Sequence, residues 1–305
     1  MASPTARDVH IDTALTGISI AYKNEQYIGT QVFPAVSVQK KTDAYYVFPK
    51  ADWFRNEIAV RAPGTRAKRI DHTVTTASYV CIEYALAEGV PEEVERNADA
   101  PLQPRVEAAE MVMDKLLLGQ EVRIAAKVMN HTGWSYSASP TTQWSSDTSD
   151  PYGDIDNAIN GVVSSIGRMP NTAVMSWDVW RNLKQHPDFL ARVQYTRPGA
   201  VLTPADMNSW FNLSKVLVGY SIYDTAAEGA TSSNTFVWLD DFWVGYVAPT
   251  PSLRTPSAGY LLEWLGRTTR TYEESQEHQI VVEVRHSTAE VVSASDSGAI
   301  CYDCV

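Results

Sequence analysis

Two stretches of the chain, "VSVQKKTDAYYVF" (residues 36–48) and "TVTTASYVCIEYAL" (73–86), alternate β-branched or aromatic residues with polar ones. That period-two pattern predicts half-buried strands. The residues between them keep no such period, so the pair predicts a long hairpin excursion whose tip, "RAPGTRAKR", turns at Pro63-Gly64. A protruding loop of this length is uncommon in a compact domain and is usually functional. After an acidic linker, "EGVPEEVERNADAPLQP", Pro104 stands where the first turn of a helix tolerates proline. From there to Asn130 about 27 residues run without another proline, roughly 40 Å of helix. Val106, Ala109, Met113, Leu116, Leu117, Ile124 and Val128 predict one apolar face. Met111, Leu118, Val122, Ala125 and Met129 predict a second, with Glu110, Asp114 and Glu121 between the two. Two apolar faces require two neighbours.

The flanking pattern is mixed. Residues 1–35 are punctuated by Pro4, Gly17, Gly29 and Pro34 and read as an arm with one short helix in "LTGISIAYKN". Residues 132–151 are Ser-, Thr- and Trp-rich with turn signals. An α/β segment follows: helix "YGDIDNAINGVVSSIG", strand "NTAVMS", helix "WDVWRNLKQHPDFLARV" interrupted at Pro187, short helix "PADMNSWFNL", then strands in "KVLVGYSIYD" and "TFVWLDDFWVGYVA". The last part, "TTRTYEESQEHQIVVEVRHSTAEVVSAS", is again strand-like. No repeat of fixed period is present.

With 305 residues, 44% of them hydrophobic and 20% charged, the chain has the make-up of an ordinary folded protein of one or two domains. No apolar run approaches the roughly 20 residues that cross a bilayer, and the N-terminus has no signal-peptide core, so a cytosol-like compartment is expected. A formal net charge of −11 argues against a dedicated nucleic-acid binder, which depends on clustered Lys and Arg to displace phosphate counterions. The charge is unevenly spread. Residues 50–72 hold Lys50, Arg55, Arg61, Arg66, Lys68 and Arg69 against Asp52, Glu57 and Asp71, a local +3. Residues 88–121 hold Glu88, Glu92, Glu93, Glu95, Asp99, Glu107, Glu110, Asp114 and Glu121 against Arg96, Arg105 and Lys115, a local −6. Opposite patches on every copy of one chain favour a head-to-tail contact, and such contacts close into rings.

Catalytic signatures are missing. There is no phosphate-binding glycine loop, dinucleotide fingerprint, zinc-protease helix motif or nucleophile elbow. Asp240 and Asp241 lie between two strand patterns, where Asp is a standard turn residue. His186 precedes a proline, and His278 sits in the charged run "EESQEH", neither beside a nucleophile and a carboxylate in recognisable order. Cys301 and Cys304 form a C-x-x-C, but the chain stops one residue later and leaves no helix to lower a thiol pKa. With Cys81 they total three, too few for a disulfide framework or a four-ligand zinc site. Neither cofactor nor metal is expected, and the chain is read as no enzyme.

The order of arm, basic hairpin, acidic linker, long helix, α/β region and returning strands resembles the major capsid proteins of tailed bacteriophages, the Hong Kong 97-like fold. The likeness rests on "YIGTQVFPAVSVQKKTDAYYVFPK", on the helix from Pro104, and on "NTAVMSWDVWRNLKQHPDF" followed by "KVLVGYSIYD". It implies an α+β fold with an N-terminal arm (1–35), an E-loop hairpin (36–78, the excursion itself 49–72) and a peripheral domain (79–140) carrying a spine helix (104–130). It further implies an axial α/β domain (141–258), return strands of the peripheral domain (259–290) and a C-terminal segment in the axial domain (291–305). Function is then expected to be self-assembly into hexamers and pentamers of an icosahedral virion shell around double-stranded DNA, held only non-specifically and built in the host cytoplasm without a membrane. Expected intersubunit residues are Trp53, Phe54, Arg55, Arg61, Arg66, Lys68 and Arg69 on the loop, with Glu92, Glu93, Glu95, Glu110 and Asp114 on the acidic side. Trp53 and Phe54 are assigned most of the burial, the charges register and encounter. Portal, separate scaffolding and decoration proteins are implied partners, the arm being too short for a fused scaffold; no crosslink is expected. Two alternatives stand beside this: an encapsulin-type compartment shell around a protein cargo, and a thiol or metal enzyme using Cys301 and Cys304.

Overall fold

In the computed structural model, residues 24, 26–98, 102–196, 199–252 and 255–305 are described. The arm up to residue 23, with most of its expected helix, lies outside them. The described chain opens on a single helical turn, α1 (Gly29–Val32), and a short strand, β1 (Ala35–Ser37). Next come β2 (Thr42–Val47), α2 (Lys50–Phe54) and β3 (Thr75–Val80), then β4 (Ile82–Pro91). The acidic linker is not wholly irregular: Pro91 starts a short helix, α3 (Glu92–Asn97). Pro91 stands at its N-cap without a side-chain cap, and three glutamates in the first turn face the positive end of the helix dipole.

The long helix, α4 (Pro104–Val128), begins at Pro104 as the proline demands and ends two residues short of the expected Asn130, with Met129 as its cap. Its apolar faces differ from the expectation. Ala108, Val112, Leu116, Ile124, Ala125 and Val128 are buried, whereas Val106 and Met111 are about half exposed. Glu121, expected on a polar strip, is 2% exposed. Two neighbours are indeed present. The N-terminal part of α4 rests on a four-stranded sheet through Ala108 with Val282 and Val90, and through Val112 and Leu116 with Val284. Its C-terminal part enters a second core with Ile28, Val32 and Phe33.

Residues 132–151 contain one short strand, β5 (Tyr136–Ala138). Then follow α5 (Pro151–Ile166), β6 (Thr172–Ser176), α6 (Trp177–Leu183), α7 (Pro187–Thr196) and α8 (Pro204–Trp210). Local chemistry sets their ends. Asp150 accepts from the Gly153 N–H, Ser176 from the Val179 N–H, and Thr203 with Asp206 closes a reciprocal capping box. Proline at 187 separates α6 from α7, as the sequence required. The remaining strands are β7 (Lys215–Gly219), β8 (Ile222–Asp224), β9 (Asn234–Phe236), β10 (Phe242–Gly245), β11 (Gly259–Glu274), β12 (Gln279–Val292) and β13 (Gly298–Cys301).

Two sheets organise these strands. The first has the order β1-β11-β12-β4 and lies under α4; the second has the order β5-β13-β10-β6-β7. β1 does not continue the hairpin but pairs in parallel with β11, Ala35 opposite Leu261. The hairpin base is β2 with β3, Thr42 opposite Val80 and Val47 opposite Thr75. In the second sheet β6, β10 and β13 are buried along their whole length. Alternation splits their side chains between two cores. Ala173, Met175, Phe242, Val244, Ala299 and Cys301 pack with α5 to α8, while Val174, Trp243 and Ile300 face the end of α4. The α+β architecture is therefore a sheet clamped between helices, joined through α4 to a second sheet from which the hairpin departs.

Candidate intersubunit interface

The hairpin leaves the body where its ladder ends, at Val47 and Thr75. Pro49, which cannot donate, caps α2 there, and Asp52 on that helix accepts from both the N–H and the hydroxyl of Thr73 at 2.9 Å. The bond from the Thr73 N–H holds the Asp52 carboxyl below its ordinary range. Beyond this tie the arms run open. Glu57 bridges them, 3.2 Å from Lys68 and 3.4 Å from Arg55, and Lys68 first, then Arg55, lowers its pKa. At the tip the Thr65 N–H donates to the Ala62 carbonyl at 3.2 Å, with Gly64 at φ +81°. This is the expected Pro-Gly turn, in which the second central residue must adopt a positive φ. Residues 58–76 are exposed throughout.

Trp53 and Phe54 lie at the loop root, not its tip. Trp53 meets Phe48 edge-on at 6.3 Å, and Phe54 approaches Gly167 of the body. Lys50 reaches Asp296 at 3.3 Å. A cleft of about 1010 Å³ separates root from body, lined by Tyr45, Phe48, Trp53, Phe54, Ile166 and Tyr260. On the loop the apolar side chains farthest into solvent are three that the sequence reading passed over: Ile58, Val60 and Ile70, at 95%, 103% and 71% exposure. For Ile58 and Val60 the signal was the alternation in "EIAVR", hidden by the surrounding charges.

The acidic side is partly neutralised within the chain. Glu92 pairs with Arg96 at 2.7 Å and Glu95 with Arg105 at 2.6 Å. Asp114 accepts from the Tyr27 hydroxyl at 3.0 Å, which ties the incoming arm to α4. Glu93 and Glu110 are exposed. Exposed apolar side chains accompany them: Val94, Leu102, Val106 and Met111, with Ile82 and Leu86 on β4. Among the described residues, no ion pair joins the basic loop to this acidic shoulder in one chain.

The candidate chemistry resolves into structural roles. Asp240 ends the turn after β9 as expected, but Asp241 is 1% exposed, so the turn reading fails for it. Its carboxylate holds the Asp303 N–H at 3.1 Å and His131 Nε2 at 3.0 Å, fastening the chain end to the end of α4; burial raises its pKa. Ser149, His186 and Asp188 meet in a constellation like that of a hydrolase, with Ser149 Oγ 3.1 Å from His186 Nε2. The bonds run the wrong way for catalysis: the Asp188 N–H donates to Nδ1 at 3.3 Å, and Ser149 donates to the Ser146 carbonyl at 2.8 Å. An imidazole whose Nδ1 accepts carries its proton on Nε2 and cannot take one from serine. His278 sits in the β11–β12 turn at φ +51°, its carbonyl accepting the Glu92 N–H. Burial pushes the Cys301 thiol up to about 12, and Cys304 and Cys81 are raised as well, mainly by burial, the reverse of an activated cysteine. Among the described residues no group of acidic, His or Cys side chains is placed to hold a metal, and no helix is long and apolar enough to cross a membrane.

No family model matches the chain. It is 25% identical over 269 residues to the major capsid protein of Burkholderia phage BcepMu, covering 84% of both chains. It is 26% identical over 235 residues to the major capsid protein of Pseudomonas phage JBD67, covering 75% of this chain and 74% of that one. Its fold matches a crystal structure of a phage-related protein from Bordetella bronchiseptica RB50 with a TM-score of 0.72 and 24% identity, over 96% of this chain and 97% of the other. The capsid structure of cyanophage P-SCSP1u superposes with a TM-score of 0.67 at 10% identity, over 99% and 95%.

Proposed function

We propose that the chain is a tailed-phage major capsid protein of Hong Kong 97-like fold, a structural protein like the relatives it matches, and that its copies close into hexamers and pentamers of an icosahedral shell around double-stranded DNA. In this reading the E-loop of one copy lies on the acidic shoulder of the next. Arg61, Arg66, Lys68 and Arg69 meet Glu92, Glu93, Glu95, Glu110 and Asp114, while Trp53, Phe54 and Arg55 brace the root. The observation that carries it is the loop itself: a basic excursion, exposed along residues 58–76, for which no ion pair with Glu92, Glu93, Glu95 or Glu110 of its own chain is present among the described residues. A contact that is complementary yet unmade within one copy is one that two copies make. The acidic balance of −11 suits a container that releases its packed polyanion. Assembly in the host cytoplasm with separate portal, scaffolding and decoration proteins completes the proposal. The sequence relatives favour a phage shell over a compartment for protein cargo. Electron microscopy of the protein expressed alone and with its phage's scaffolding protein tests the reading. Closed shells or capsomer rings are expected; a compact monomer in every buffer, with or without scaffold, overturns it.

A further inference from the structure

β4 is the last strand of its sheet, bonded to β12 on one side, and on the other side no described strand pairs with it. Its pleat puts Ile82, Tyr84, Leu86, Glu88 and Val90 on one face. Tyr84 and Val90 pack against α4, but Ile82 and Leu86 stay 55% and 39% exposed. A strand of ten residues with an open edge and apolar side chains invites another strand, and folded proteins rarely leave such an edge uncovered. The first arm of the loop has the matching form. Arg55 is extended, Ile58 and Val60 alternate with Glu57, Ala59 and Arg61, and both apolar side chains are fully in solvent. Between residues 56 and 61 the one backbone N–H with a partner among the described residues is that of Ile58, which donates to its neighbour Asn56 at 3.3 Å.

We propose that arm 55–62 of one copy adds as a strand to the open edge of β4 in a second copy. This deepens the loop-on-shoulder reading above and rests on it. Charge fixes the direction. α3, with Glu92, Glu93 and Glu95, follows β4 without a break, and the basic tip follows the arm in the same way. Tip and α3 meet only when arm and β4 run parallel. Pleat fixes the face: Ile58 and Val60 come beside the even-numbered residues of β4, which places Val60 against Leu86 and extends the apolar rim of α4 across the joint. The Pro63-Gly64 turn then falls beside Gly89 and Val90, which brings the basic tip next to the acidic first turn of α3. At eight residues the arm spans about 26 Å, inside the roughly 33 Å of β4.

Paired cysteines test it, because the three native thiols are buried. In oxidised shells, Val60→Cys with Leu86→Cys is expected to give chains linked into multimers, since neighbouring strands hold their Cα atoms within disulfide reach. Ala59→Cys with Leu86→Cys, on opposite faces, is expected to give none. Linkage of Val60→Cys to Glu110→Cys but to no even position of β4 overturns edge addition while leaving a loop-on-shoulder shell intact. Where a cysteine pair blocks assembly, hydrogen exchange on the unmodified protein decides: amides of 56–61 and 82–90 are expected to slow together by about tenfold or more on assembly. Unchanged exchange of β4 in intact shells overturns the proposal, and failure of the unmodified chain to form shells at all removes the reading beneath it instead.

Discussion

Trp238 donates its indole N–H to Oε1 of Glu121 at 2.8 Å, inside the core, from the turn that follows β9. The same carboxylate accepts the N–H of Ile28 at 2.9 Å and of Gly29 at 2.8 Å, the free donors at the start of α1. One buried side chain thus joins the incoming arm, α4 and the turn that leads into the five-stranded sheet. Among the described residues it has no cation partner, so three N–H groups alone hold the charge. Gly29 is required there, since a Cβ would lie 2.6 Å from Glu121 Oε2 and 3.0 Å from Ile124. Glu121→Ala orphans all three donors, at about 1–3 kcal/mol each, so a loss of about 3 kcal/mol or more is expected. Glu121→Gln keeps an acceptor at Oε1 and should lose less. Denaturant unfolding of the unassembled subunit measures both; an alanine variant within 1 kcal/mol of the parent, roughly the worth of one bond, removes the pin from the account.

The same residue gives a signed pH dependence. Burial lifts the Glu121 carboxyl above the ordinary carboxylate range, outweighing the bonds from Ile28, Gly29 and Trp238 that pull it down. A group whose folded pKa exceeds its unfolded value contributes fully below the unfolded value, about 4.3 for Glu, and that contribution is lost as pH rises through the folded one. The stability advantage of the parent over Glu121→Gln is therefore expected to shrink as pH rises from about 4. Paired melts across the acid range check it, and an advantage that grows with pH contradicts the desolvation account.

Much of this fold was legible because its causes are local. Pro104 marks where α4 starts, Pro187 splits two helices, Pro63-Gly64 turns the loop, and alternation marks the hairpin strands. What stayed hidden is set by partners far away in the chain. Glu121 looks like a surface acid because its donors sit 92, 93 and 117 residues off. The parallel pairing of β1 with β11, and of β5 with β13, leaves no periodic trace because β1 and β5 are only three residues long. On the candidate interface, charge was visible in runs, but exposure was not. Ile58 and Val60 read as ordinary apolar residues until the structure put them in solvent. Trp53, expected as an outward anchor, meets Phe48 edge-on at the loop root while staying about half exposed.

Ile124 and Leu117 were expected on the same apolar face of α4, and the structure separates them. Ile124 is fully buried between Val32 and the sheet core, whereas Leu117 is half-buried at the flank of α4. Ile124→Asp places an unpaired carboxylate in the core, a cost of several kcal/mol, and should abolish soluble expression. Leu117→Asp turns its charge toward water and should leave a folded, weakened subunit. Circular dichroism and thermal melts of the two variants distinguish the sites; equal behaviour would mean that α4 is rotated from the orientation described.

Loop shape is set within one copy, whereas loop charge is proposed to act between copies. Lys68 and Arg55 hold Glu57, and Arg61 Nε donates to the Thr65 carbonyl at 2.7 Å. Arg66 and Arg69 are exposed, with no ion pair among the described residues. Reversing Arg66 and Arg69 to Glu should leave the subunit's melt unchanged, because surface charges away from partners shift stability by about 0.5 kcal/mol at most. Assembly followed by light scattering should slow by about tenfold or more at low salt, and the gap should narrow near 0.15 M, where screening acts over about 8 Å. Matching assembly rates at low salt would detach the loop from the shoulder.

Cysteine reactivity tests the absence of thiol chemistry directly. Cys301 lies on β13 between strands and Cys304 bonds to its carbonyl at 3.2 Å; both are buried, and Asp241 and neighbouring acids add to the burial that disfavours a thiolate. Cys81 is buried where β3 gives way to β4. Alkylation at pH 8 needs thiolate and access, and these sites supply neither. The native subunit should remain unmodified for hours, while all three cysteines react on unfolding in denaturant. Rapid labelling of Cys301 or Cys304 in the folded protein would mean that the chain end opens away from His131 and Asp241. A Cys304→Ser variant that assembles at the parental rate would show that the sulfur only fills space.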